Sequence, residues 1–320
     1  MTESKTKIGD FCVAAREEIK KVIVGQDKII DPLLVALVCG GHVLLEGVPG
    51  TAKTLLVKAL SMASDCDFKR IQFTPDLMPS DVLGTSIYDE NSKCFTLKKG
   101  PIFTNFLLAD EINRTPPKTQ SALLEAMEEH QVTIDGVRHG FDEPFIVFAT
   151  SNPIEYEGTY PLPEAQLDRF LFKITIGYPA ENMEKDILKK HHAGFNPREL
   201  NLSGIKKVID RTLFKDLHTE LNKIKVEESL FEYIVKILEK TRMHSDLALG
   251  ASPRAGVMLL SASKGFAALR GSAFLTPDDI KFASRFVLGH RIMIKPDAEV
   301  EGINTETVLS DILCSVEVPR

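Results

Sequence analysis

LLEGVPGTAKT, Leu44 to Thr54, decides how the rest of the chain is read. It has the spacing of a phosphate-binding loop, G-x-x-x-x-G-K-[ST], except that Ala52 stands where the second fixed glycine belongs. Ahead of it HVLLE (His42–Glu46) is a short apolar run between CGG and GVPG, which predicts a buried strand of a parallel sheet. Behind it Leu55, Leu56, Ala59 and Leu60 recur at helical spacing. Strand, glycine-rich turn and helix in that order let backbone N–H groups cradle a phosphate. The candidate cradle comprises Gly47, Val48, Pro49, Gly50, Thr51, Ala52, Lys53, Thr54 and Leu55. Lys53 suits the β- and γ-phosphates of a nucleotide, and the Thr54 hydroxyl suits Mg2+. Ala52 costs little in a helical conformation and more if the turn needs a positive φ. The competing reading is a glycine-rich connection with no ligand.

Working outward, the chain alternates. Strand-like runs RIQFT (70–74), NFLLA (105–109), FIVFATS (145–151) and FLFKITI (170–176) are separated by helical or loop segments. That alternation predicts a mostly parallel sheet covered on both faces, a three-layer α/β module. Before it, residues up to about 40 read as helix, turn and helix, with VIVGQ (22–26) in the break. After Pro179 the patterns turn helical, so the expected division is an α/β domain over 1–180 and a helical lid over 181–320. Two segments interrupt the α/β half. Asp81–Phe103 predicts an inserted hairpin about an Asn91–Ser92 turn, and His130–Phe145 a second about Asp135–Gly136.

NFLLADEINR supplies the other half of a nucleotide site. The strand ends in Asp110 and Glu111, placing two carboxylates at the edge where open α/β sheets bind ligands. Asp110 suits Mg2+ through its water, and Glu111 can polarise a water for in-line attack on the γ-phosphate. Two such motifs in the right order make a chance match a poor account of either.

Composition narrows the class. With 43% hydrophobic and 26% charged residues the chain has ample core, and its net charge of −6 gives no global attraction to nucleic acid or an anionic membrane. No run reaches the roughly twenty apolar residues of a membrane span, and the N-terminus lacks an apolar signal core. The five cysteines are scattered, without C-x-x-C spacing, as expected of reduced thiols in the cytoplasm. His191 and His192 read as a solvated helix end, since helix neighbours share no face.

The strings LLEGVPGTAKT, GPIFTNFLLADEINRTPPKTQSALLEAMEE, ATSNPIEYEGTYPLPEAQLDRF and GASPRA resemble the AAA+ ATPases, and among them the MoxR family, over nearly the whole chain. The resemblance implies an AAA+ module with inserted hairpins and an all-α lid. It also implies alanine as an ordinary residue at 52. It assigns Asn152 to sensor 1, Arg169 to the arginine finger reaching a neighbouring subunit's ATP, and Arg254 to sensor 2 at the start of a lid helix. Ile23, Val24 and Gly25 match the segment that packs on adenine. Three have a plainer alternative: an Asx turn for Asn152, an ion pair with Asp168 or Glu164 for Arg169, and ordinary core for the adenine segment. For Arg254 the resemblance leaves open its own subunit's nucleotide or the neighbour's. The implied activity is ATP hydrolysis by a hexameric ring that remodels client proteins, often with von Willebrand factor A-domain (VWA) partners. The hairpin cations Lys93, Lys98, Lys99, Arg138 and His139 keep a DNA motor open as an alternative. A slowly hydrolysing, ATP-gated scaffold is another.

Overall fold

The structure, a computed structural model, describes residues 6–91, 93–153, 158–197, 199 and 204–319. Helices α1 (Lys7–Lys20) and α2 (Asp27–Cys39) come first, then β1 (Val43–Gly47), α3 (Lys53–Ala63) and β2 (Phe68–Gln72). The short α4 (Pro79–Leu83) leads into the hairpin β3 (Gly84–Asp89) and β4 (Cys94–Lys99). Next are β5 (Phe106–Asp110), α5 (Pro117–Glu129) and a second hairpin, β6 (Gln131–Ile134) with β7 (Val137–Gly140). β8 (Ile146–Ser151), α6 (Glu164–Leu167) and β9 (Phe172–Ile176) complete the α/β part.

The five parallel strands run in the order β2-β5-β8-β1-β9. β1, β5 and β8 are buried on both faces, which is why they read as continuous apolar runs. β2 is an edge strand, buried only at Ile71, and it begins two residues before the predicted RIQFT run. Register sets the site: Gln72 pairs with Asp110, and Glu46 with Ser151, so the functional ends of the strands lie level along one edge.

Both hairpins form. In the second, Asp135 and Gly136 have φ of 50° and 80°, the paired positive values that a two-residue turn of this hand requires. In the first, Tyr88 pairs with Phe95 across the ladder, their rings 5.4 Å apart. Ser92, half of its predicted turn, lies outside the described residues.

The remaining helices are α7 (Glu181–His192), α8 (Phe214–Asn222), α9 (Glu228–Met243), α10 (Pro253–Leu269), α11 (Pro277–Val287), α12 (Pro296–Val300) and α13 (Thr305–Ser315). A short ribbon of β10 (Leu247–Leu249) and β11 (Met293–Ile294), absent from the sequence reading, joins them. The largest apolar core is shared by both halves of the chain. Phe11 of α1 meets Phe214 of α8 edge-on at 5.9 Å. Gly265 of α10 lies so close to α2 that a Cβ there would come within 2.5 Å of Val35.

Candidate functional site

The loop between β1 and α3 is tied down from two sides. Thr51 Oγ1 donates to the Val48 carbonyl at 3.0 Å, and Gln26 Nε2 donates to the Thr51 carbonyl at 2.8 Å. Ala52 has φ 62° and ψ 22°, so the turn does demand the left-handed conformation that favours glycine. Lys53 folds back, its Nζ donating to the carbonyls of Gly47 and, at 3.1 Å, Val48. Burial lowers its pKa, against the opposing pull of Asp110 and Glu111.

Beside the loop opens a cleft of about 540 Å3. Ile23, Val24, residues Pro49 through Leu55, Asp110, Glu111 and Asn152 all line it. Gly25, Gly47 and Val48 do not. Gly25 has φ 76°, and a Cβ on it would sit 2.8 Å from Met183, so this glycine admits the close approach of α7. The far wall is Pro179, Ile187, Lys190, His191, Phe195 and Pro197, none of which the sequence reading put at the site. His191 is an exposed residue of the last turn of α7, as expected, and it also borders the cleft. Among the described residues no cluster of three His, Cys, Asp or Glu side chains could hold a metal alone. Thr54 and Asp110 offer hard oxygen donors, which fit a Mg2+ that keeps waters and substrate phosphates as its other ligands.

The acidic pair is heavily engaged. Arg70 of β2 donates to Asp110 Oδ2 from Nη2 at 2.6 Å and from Nε at 3.0 Å. Thr150 Oγ1 donates to Asp110 Oδ1 at 2.6 Å and accepts from the Glu111 N–H at 2.8 Å, orienting both acids at once. Gln72 Nε2 donates to Glu111 Oε2 at 2.6 Å, and Arg114 Nε lies 3.3 Å from the same oxygen. Arg70 and Gln72, two residues apart on a strand, project to one face. That spacing was their only signal in the sequence.

Arg169 and Arg254 are absent from this cleft. They line a smaller one, of about 260 Å3, with Met127, Glu128 and His130. Arg169 Nε lies 2.9 Å from Glu128 Oε2, and Arg254 Nη2 lies 3.0 Å from Oε1 of the same carboxylate. Neither Asp168 nor Glu164 is the partner of Arg169. Asp168 Oδ1 instead accepts from Arg291 Nε at 2.6 Å, and Ser252, the N-cap of α10, donates to its Oδ2 at 3.3 Å. Arg291 is buried, and burial brings its pKa down to about 10 despite Asp168.

Comparison with known proteins places this geometry. The model of the ATPase family associated with various cellular activities (AAA) matches residues 42–172, and that of the AAA lid domain matches 239–312. Protein YeaC of Bacillus subtilis is 49% identical over 305 residues, covering 95% of this chain and 94% of its own. Chaperone MoxR1 of Mycobacterium tuberculosis is 42% identical over 312 residues, covering 95% and 81% respectively. The chain is a MoxR-family AAA+ ATPase. A crystal structure of a candidate ATPase from Cytophaga hutchinsonii, 42% identical, superposes with a TM-score of 0.90 over 98% of this chain and 96% of that one. No described helix is long and apolar enough to cross a membrane.

Proposed function

We propose that the chain is a Mg2+-dependent ATP phosphohydrolase that works as a cytoplasmic ring, hexameric by the family resemblance, with nucleotide sites shared between neighbouring copies. One observation carries the reading: Lys53, Thr54, Asp110, Glu111 and Asn152 belong to one cleft, while Arg169 and Arg254 belong to another. The loop N–H groups and Lys53 bind the phosphates, and Ile23 and Val24 pack on the base. Thr54 and the carboxylate of Asp110 would hold Mg2+, which would supply charge neutralisation at the phosphates. Glu111 accepts hydrogen bonds from the attacking water and polarises it, and Asn152 holds that water or a γ-phosphate oxygen. Charge developing on the transferred group is met by Arg169 and Arg254 of a neighbouring copy.

The test is steady-state ATPase activity against protein concentration for the wild type and Arg169→Ala, with Glu111→Gln as the inactive control. Turnover per subunit should rise with concentration and fall on the order of a thousandfold in Arg169→Ala while nucleotide binding persists. Turnover that is flat with concentration and indifferent to Arg169 overturns the shared site.

For the substrate of the motor we infer protein clients, with VWA-domain proteins as partners. The name of the M. tuberculosis relative, Chaperone MoxR1, supports the protein clients, while the VWA-domain partners rest on the family resemblance. The exposed Tyr88 and Phe95, 51% and 73% accessible at the first hairpin, also support protein clients, offering apolar grip beside its exposed lysines.

A further inference from the structure

Glu128 is the penultimate residue of α5, the helix that follows the Asp110–Glu111 pair. Its two carboxylate oxygens are divided between Arg169 and Arg254. The backbone around both arginines is fixed independently. Asp168, the neighbour of Arg169, is anchored by the buried Arg291, and its other oxygen takes the hydroxyl of Ser252, two residues before Arg254. What remains free is the direction of two long cationic side chains, which repel each other. A single carboxylate between them cancels that repulsion and sets their spacing. Arg169 meets it as an ion pair through Nε, a buried donor that makes no hydrogen bond among the described residues.

We propose that Glu128 is a positioning residue that holds Arg169 and Arg254 as a preset pair for the triphosphate of a second copy of this chain. This rests on the shared-site reading above. Glu128 acts only through arginines of its own subunit, so its loss damages the site of the neighbour and spares its own.

Subunit mixing separates these statements. Glu128→Gln keeps the side-chain shape and loses the charge, and its turnover should fall roughly ten- to a hundredfold through misplaced arginines. Its affinity for a fluorescent ADP and its sedimentation profile should match the wild type. Mixed with Glu111→Gln, which has intact arginines, Glu128→Gln should regain turnover. Mixed with Arg169→Ala it should not, since both variants then present defective arginines. The reverse pattern, rescue by Arg169→Ala and none by Glu111→Gln, overturns the proposal and places Glu128 in the site of its own subunit. Undiminished or raised turnover of Glu128→Gln alone also overturns it, as does lost nucleotide binding. Arg169→Ala mixed with Glu111→Gln serves as the control: no rescue there sinks the shared site itself.

Discussion

Ala52 shows how one backbone angle separates spelling from function. The loop needs a left-handed residue at that position, where an L side chain costs about 1–2 kcal/mol and glycine costs nothing steric. Glycine also frees the unfolded chain, returning about 0.4–1 kcal/mol in the opposite sense. Ala52→Gly should therefore stabilise the protein by up to about 1.5 kcal/mol in denaturant melts, with the loop geometry intact. A destabilised variant would mean that the loop does not rest in this conformation. The acids are the complementary case. That Asp110 and Glu111 stand at a strand end was legible from ten letters. That Arg70 and Gln72 hold them was not, because the pairing depends on which strand lies beside β5.

At the scale of elements, His42 joins three of them. It precedes β1, its Nε2–H donates to the Met127 carbonyl of α5 at 3.1 Å, and its Nδ1 accepts from the Val147 N–H of β8 at 3.0 Å. Burial brings its pKa down to about 4, only partly offset by the Met127 carbonyl. Unfolded, it titrates near 6.5. Between those values the unfolded chain binds the extra proton, so stability is complete above 6.5 and is lost as the pH falls toward 4. The whole effect is a few kcal/mol, at about 1.4 kcal/mol per unit. His290, buried beside Arg291, has its pKa lowered in the same direction and adds to the loss. Melting temperature should drop from pH 6.5 to 5 in the wild type, and the slope should flatten in His42→Gln. An equal slope in both would remove His42 from the account. Strands and hairpins were readable because their signals are local: apolar runs, alternation, and Asp135–Gly136 at a turn needing two positive φ values. The β10–β11 ribbon joins residues more than forty apart, and no local pattern marks it.

For the whole molecule, the proposed division at residue 180 meets a core that ignores it. α2 packs on α8 and α10, and α1 on the same two helices. The Cys39 thiol donates to the Ser261 carbonyl at 3.4 Å, and the Thr6 hydroxyl to that of Ala268 at 2.9 Å. A fragment of residues 1–180 would leave those apolar faces in water. It should prove insoluble, or bind an apolar dye that the full chain ignores. A soluble, dye-silent fragment that still binds ADP would show that the α/β part stands by itself.

By itself the sequence determined the strand–loop–helix around Gly47–Thr54, the acids at the end of β5, the parallel α/β class and the helical second half. Each is written in contiguous residues, where periodicity, turn chemistry and helix starts act over one element. Only the tertiary structure decided that Gln26 braces the loop, that Arg70 and Thr150 grip Asp110, and that Arg169 and Arg254 share Glu128 in a cleft of their own. Those pairings join side chains that meet only when the sheet order and the packing of α10 bring them within hydrogen-bonding reach, a short-range interaction to which separation along the chain gives no guide.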